Sequence, residues 1–262
     1  MLTDPKSNRI RGVVKLQKKD ARSSTGLFLL EGLQGLKEAL DHPQLVQEVF
    51  ATPNAIEQSG DIFARLASHG VEITEVDDRV LSTLSTTETP QGVVAVCQQI
   101  DVELSKVGQP LLVAYLANIR DPGNAGTILR VADAANADAV IFSDNSVDLY
   151  NPKVVRSTTG SIFHLNVTID ASLDSVIDFA RMHQLQILAA DAGGDALDEI
   201  APEVLAKPTL WIFGNEAWGF EDGVLDRVDR VVSVPIFGKA ESLNLATAAS
   251  ICLYASAMAQ NR

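Results

Sequence analysis

Cysteine is scarce in this sequence. Cys97 and Cys252 are the only two, far apart in the chain. They make neither a disulfide framework nor a metal-ligand spacing, and read as buried thiols of a reducing compartment. Histidine is scarce as well. His42, His69, His164 and His183 are scattered without ligand spacing, so no metal is expected. No apolar run approaches the roughly 18 residues of a membrane helix. Met1 to Lys6 contains no apolar stretch of a secretory leader, which makes the cytoplasm the expected address. Three glycine signatures are missing. No G-x-G-x-x-G follows a candidate strand, no G-x-S-x-G is present, and Gly238-Lys239-Ala240 lacks both the upstream glycine and the hydroxyl of a phosphate loop. These gaps weigh against dinucleotide enzymes, nucleotide triphosphatases and serine hydrolases.

Positive charge is also short overall. The 262 residues carry a net −13, which alone argues against a protein that coats nucleic acid. The distribution is uneven. Residues 1–26 hold seven bases, Lys6, Arg9, Arg11, Lys15, Lys18, Lys19 and Arg22, against two acids, for a net of +5. A basic arm on an acidic body suits docking of a polyanion at one place, and equally suits a solvated helix.

What is present is an ordinary globular balance, 46% hydrophobic and 21% charged, in a chain long enough to bury a large core. Residues 8–22 read as a helix, with Ile10, Val13, Val14 and Leu16 as its apolar side. Strands are expected over 27–30, 45–51, 71–76 and 92–97, with helices over 31–40 and 55–69 and one capped by Asp77-Asp78. These make a first α/β domain over 1–103. Residues 104–110, with Gly108 and Pro110, form the best linker. A second domain, 111–262, alternates strands over 111–117, 139–143, 163–167, 186–191, 210–213 and 231–236 with helices over 127–136, 152–159, 173–183 and 243–259. That pattern predicts a mostly parallel sheet covered on both faces.

Ligands of such sheets lie at the carboxyl ends of strands. Three segments stand there. Asn118 to Arg130 carries Pro122, Gly123 and Gly126 in a tight loop, with Asn124 as a candidate helix cap. Arg130 is expected near the start of the following helix, where it suits a phosphate, or else pairs with Asp121 or Asp133. Phe213 to Phe220 places Gly214 just past a strand, leaving room for close approach, and sets Glu216 where ligands lie. The plain alternative is a turn with an exposed acid. Val234 to Thr247 leaves a strand, loops, and enters an apolar helix through Ser242 and Asn244. A helix cap at Ser242 alone leaves Asn244 unexplained.

Taken together, Asp121 to Arg130, Phe213-Gly214-Asn215-Glu216 with Gly219, and Pro235 to Asn244 resemble the three motifs of the SpoU/TrmH branch of the SPOUT RNA methyltransferases, in the same order. The preceding domain is similar to the L30e-like substrate-binding domain of ribosomal RNA members, most recognisably at Gly26 to Gly32. The resemblance implies an α/β catalytic domain with a C-terminal trefoil knot, which generic topology rules would not propose. It implies S-adenosyl-L-methionine as cofactor, a homodimer with the site at its interface, and methylation of a ribose 2′-hydroxyl, most simply of ribosomal RNA. The same reaction on tRNA, or a non-catalytic RNA-binding module of the same fold, are the alternatives. In the family pattern, Asn124, Arg130, Glu216, Ser242 and Asn244 take the catalytic positions. Gly214, Val234, Ile236 and Leu243 take the cofactor positions. Arg9, Arg11, Lys15, Lys18, Lys19 and Arg22 are expected to meet RNA phosphates, with no membrane and no metal involved.

Overall fold

Short apolar runs between polar-faced helices become ten strands and eleven α-helices in the computed structural model, which describes residues 1–262. The first hundred residues give α1 (Asn8–Val14), α2 (Lys19–Thr25), β1 (Leu27–Glu31), α3 (Leu33–Glu38), β2 (Val46–Ala51), α4 (Pro53–Gln58), α5 (Gly60–Ser68), β3 (Glu72–Glu75), α6 (Asp78–Leu84) and β4 (Val93–Gln98). The rest gives β5 (Leu112–Leu116), α7 (Pro122–Ala134), β6 (Ala139–Ser143), α8 (Pro152–Thr158), β7 (Asn166–Ala171), α9 (Leu173–Met182), β8 (Gln186–Ala196), α10 (Pro202–Leu205), β9 (Thr209–Phe213), β10 (Arg230–Ser233) and α11 (Leu245–Gln260).

The chain divides into two units. The first comprises Met1–Ile100 with Asp148–Phe163. Its sheet runs β1-β4-β2-β3, with β4 antiparallel to both neighbours and β2 parallel to β3. Ile10, Val13 and Leu16 seal one face over Leu29, Phe50 and Val94, beside Val80, Leu81 and Leu84 of α6. Residues 148–163 were expected to lie with the second domain and pack here instead. Tyr150 stacks at a tilt on Phe28, with centroids 4.9 Å apart, and its hydroxyl accepts the Ile100 N–H at 2.7 Å. A further contact is Arg22, which is buried. It donates to the Leu16 carbonyl at 2.9 Å and ion-pairs with Asp148. A buried guanidinium needs a carboxylate, and this segment brings one.

The second unit, Asp101–Val147 with His164–Arg262, holds a six-stranded sheet in the order β10-β8-β9-β5-β6-β7. Every neighbouring pair is parallel. All residues of β5, β6 and β9 are buried, as befits a sheet covered on both sides. Successive side chains alternate faces. Val113, Tyr115, Leu210 and Ile212 join Val176, Phe179 and Ala180 of α9 in one core. From the same strand β9, Trp211 and Phe213 stack 6.2 Å apart, and the Trp211 indole N–H donates to Ser256 Oγ of α11 at 2.9 Å. No helix is long and apolar enough to cross a membrane, and His, Cys, Asp and Glu side chains nowhere converge in threes around a metal-sized space.

Several boundaries move from the sequence expectation. The helix over 8–22 breaks at a 3-10 turn, Lys15–Gln17, and an extended Lys18. The Gln17 amide donates to the Thr83 and Leu84 carbonyls at the end of α6. The helix over 55–69 is two, broken at Ser59. Ser161–Phe163 is a buried 3-10 turn, and the strand begins only at Asn166, because a short apolar run has no diagnostic period. β8 extends through Gly193-Gly194 to Ala196. A Cβ on Gly194 would sit 2.4 Å from the Val231 carbonyl carbon, so glycine there permits the bulged pairing with β10 rather than ending the strand.

Candidate active site

Three segments leave the carboxyl ends of β5, β9 and β10 within the second unit. The first turns through Asn118, whose positive φ of 57° is one Asn tolerates, and enters α7. Asp121, not Asn124, caps that helix: its Oδ1 accepts the Asn124 N–H at 2.7 Å, with Pro122 at the first helical position. The helix therefore starts five residues earlier than the apolar pattern suggests. Arg130 consequently falls in the second half of α7, not near its positive end.

The second segment is a pinned loop. Asn215 and Gly219 exchange backbone hydrogen bonds at 2.7 and 2.9 Å. The buried Asn215 amide donates to the Asn118 carbonyl at 2.6 Å and its oxygen accepts the Ala217 N–H at 2.8 Å. A Cβ on Gly214 would lie 2.7 Å from the Gly219 oxygen. Gly214 is thus reserved for the loop's own backbone, and does not border the cleft where the cofactor was expected to approach it.

Glu216 emerges from this loop exposed and accepts from Arg120 N at 3.3 Å, Asp121 N at 3.1 Å and Asn124 Nδ2 at 3.2 Å. Asn124 Oδ1 in turn accepts from Asn244 Nδ2 at 2.9 Å. Asn244 Oδ1 accepts from Ala246 N and Thr247 N at 2.9 and 3.3 Å. Asn244, rather than Ser242, is the cap of α11. Each amide donates with its nitrogen and accepts with its oxygen, so the network assigns both orientations. One chain of bonds, Glu216–Asn124–Asn244, ties all three segments.

Beside it lies a cleft of about 210 Å³, lined by Val232, Val234, Ile236, Leu243 and Leu245 on the apolar side and by Glu216, Glu241, Ser242 and Asp191 on the polar side. Ala190, Asp191 and Ala192, from β8, were not expected at the site. The signal was available, since they sit at the carboxyl-end side of a parallel strand.

Arg130 stands apart. It is exposed and makes no ion pair or hydrogen bond, since Asp121 is engaged as a cap and Asp133 pairs with His164 at 2.9 Å. Six residues along a helix from Asn124 put it about 9 Å further on and about 120° around. Within one chain it does not join the network.

The basic residues of the first unit split in two. Arg11, Lys15, Lys18 and Lys19 are exposed. Arg22 is buried on Asp148 and presents nothing to a polyanion. Arg9 is spent on Glu48 and Glu72, both at 2.7 Å, and lies over the Phe50 ring at 5.4 Å. Its hydrogen bond to Glu48, opposed by burial and aided by Glu72, raises its pKa further. Cys97 and Cys252 are free and buried. Burial pushes each thiol up to about 12, so neither is a nucleophile at neutral pH.

Residues 111–254 match the model of the SpoU rRNA Methylase family, and residues 7–95 match the MRM3-like substrate binding domain. The 23S rRNA (guanosine(2553)-2′-O)-methyltransferase RlmP of Bacillus subtilis is 32% identical over 95% of this chain and 96% of its own. The 23S rRNA (uridine(2479)-2′-O)-methyltransferase of Streptomyces viridochromogenes is 28% identical over 91% of this chain and 85% of its own. Among solved structures, an AdoMet-bound rRNA methyltransferase from Sinorhizobium meliloti superposes with a TM-score of 0.86 at 28% identity, covering 97% of this chain and 96% of that one. The AviRb SpoU methyltransferase of Streptomyces viridochromogenes in complex with AdoMet gives 0.83 at 28% identity over 96% and 98%. With the family model spanning more than half of the chain, and that Bacillus relative alike from end to end, this protein belongs to the SpoU rRNA methylase family, the SpoU/TrmH branch its three motifs resemble.

Proposed function

We infer that the protein is an S-adenosyl-L-methionine-dependent RNA methyltransferase that places a methyl group on a ribose 2′-hydroxyl of ribosomal RNA. The observation that carries this reading is the Glu216–Asn124–Asn244 chain of hydrogen bonds beside a cleft at the carboxyl ends of parallel strands. The relatives that are alike along nearly the whole chain carry the same activity in their names.

The cleft fits the cofactor by its donor set. Val234, Ile236 and Leu243 give an apolar slot for a purine ring, while Asp191, Glu216 and Glu241 supply acid for a ligand bearing sulfonium and ammonium charges. When bound, the cofactor supplies an electrophilic methyl group, already activated by its sulfonium. The chain's own work is positioning. Glu216 holds the Arg120–Asp121 turn and the Asn124 amide, and Asn244 holds Asn124 from the other side. An amide fixed in this way orients a ribose hydroxyl without having to reorganise, and alignment of two bound reactants is a large part of such a barrier. Ser242, on the wall of the same cleft, offers a hydroxyl to the ribose or the cofactor. Arg130 does not act as a base, because a guanidinium keeps its proton. It grips a phosphate and stabilises the developing alkoxide.

Arg130 reaches this work from a second copy of the chain. The exposed side of α11 carries Ile251, Tyr254 and Met258 at one-face spacing, an apolar stripe that a homodimer would cover. The C-terminal knot belongs to the same reading: β10 lies outside β8, and residues 234–244 lead back to α11, which packs on β9 and β5 near the middle of the sheet. Arg11, Lys15, Lys18 and Lys19 meet RNA phosphates. A ribosomal substrate sets the work in the cytoplasm. Calorimetry with S-adenosyl-L-methionine, with and without EDTA, tests the pocket: one site per chain with equal affinity in both buffers is expected. Binding that needs a divalent ion would overturn the cleft assignment.

A further inference from the structure

One side chain that this architecture leaves unexplained is Trp218. Its loop is not loose. The Asn215–Gly219 bonds, the Asn215 amide on Asn118 O and the Ala217 N–H on Asn215 Oδ1 all fix it. Yet the loop holds its largest apolar side chain 55% exposed, whereas the other tryptophan, Trp211, is fully buried. A rigid loop that displays an indole to water forgoes the burial such a side chain normally gains. The ring is also braced. The Arg120 guanidinium carbon lies 5.9 Å from its centroid, within cation–π range. The same Arg120 gives its backbone N–H to Glu216, so the indole and the network share one frame.

We propose that Trp218 is a stacking platform for a base of the RNA substrate at or beside the methylated ribose, with Arg120 backing the ring and reaching an adjacent phosphate. An unstacked base is recognised by an aromatic face and a guanidinium plane, and this pair presents both beside Glu216, Trp218 two residues along the loop and Arg120 through its backbone N–H. The proposal rests on the RNA methyltransferase reading and adds the residue that receives a base. The competing occupant of the indole is a second copy of this chain.

The test uses the full-length protein and protein-free ribosomal RNA from cells lacking it. Tryptophan fluorescence of the wild type is titrated with that RNA. Trp218→Phe and Trp218→Ala are then compared for fluorescence, steady-state methyl transfer, S-adenosyl-L-methionine affinity and mass by light scattering. RNA should quench the wild type, and should not quench Trp218→Phe, whose remaining indole is buried. Trp218→Phe should keep a wild-type RNA KM within about twofold. Trp218→Ala should raise it about tenfold or more, the scale of one lost stack, with kcat at saturating RNA, cofactor affinity and mass unchanged. Unquenched wild type on RNA binding, an unchanged RNA KM in Trp218→Ala, or a halved mass in that variant would each overturn the proposal. Failure of the wild type to methylate any RNA is a different result. It would sink the functional reading, while the quenching would still report whether RNA covers Trp218.

Discussion

The carboxamide of Asn124 gives an N–H to Glu216 and takes one from Asn244, which in turn caps α11. Position and stability are therefore coupled at Asn244, and two substitutions separate them. Asn244→Ala removes the cap and should lower stability by about 0.5–2 kcal/mol, along with activity. Asn244→Asp keeps an oxygen for the Ala246 and Thr247 N–H groups but sets a second acceptor against Asn124 Oδ1. It should unfold like wild type in urea and still lose activity. Full activity in Asn244→Asp would mean that Asn244 is a cap and nothing more. Arg130→Ala should leave cofactor affinity intact and lower single-turnover methyl transfer at least about a hundredfold, the scale of one electrostatic donor. A normal rate would remove Arg130 from the site.

The first two helices show what a change of one element means. By charge alone, seven bases near the N-terminus form one set. The break at Lys15–Lys18 turns α2 so that Arg22 enters the core. Its loss should therefore be a stability effect: Arg22→Met leaves Asp148 without its partner and should cost about 3–5 kcal/mol in urea unfolding. Lys15, Lys18 and Lys19, all exposed, should behave oppositely. Their joint change to Glu should leave unfolding near wild type and reduce the salt slope of RNA binding by about one unit per lost contact. An unchanged slope would make that side of the helix merely solvated. Sequence reading found the arm but not the division within it, because an interior partner such as Asp148, 126 positions away, leaves no mark on local pattern. The same limit applies to α7. Asp121-Pro122 is a legible helix start, but the apolar pattern drew the boundary later and misplaced Arg130 along the helix. By contrast, the central strands of the second unit were legible, since β5, β6 and β9 are mostly apolar runs bounded by polar turns.

At the scale of the whole molecule, one chain holds Asn124, Glu216 and Asn244 together and leaves Arg130 and the Ile251, Tyr254 and Met258 stripe facing outward. The homodimer proposed above would account for both. Light scattering on the full chain at micromolar concentration should give twice the chain mass, and charged substitutions at Ile251 and Met258 should halve it. A wild-type monomer that methylates at full rate would contradict the shared site. The domain order was legible from motif order, whereas the packing of residues 148–163 with the first unit was not, because it rests on contacts far apart in sequence, such as Arg22 with Asp148 and Phe28 with Tyr150. The central claim is methyl transfer to a ribose of ribosomal RNA. Its most direct test is a map of 2′-O-methyl positions in total RNA from cells with and without the protein, repeated after purified wild type and Arg130→Ala are added to the unmodified RNA with S-adenosyl-L-methionine. One ribosomal RNA ribose should lose its methyl group in the absence of the protein and regain it with wild type but not with Arg130→Ala. Identical maps with and without the protein, or a position restored only in tRNA, would contradict the account.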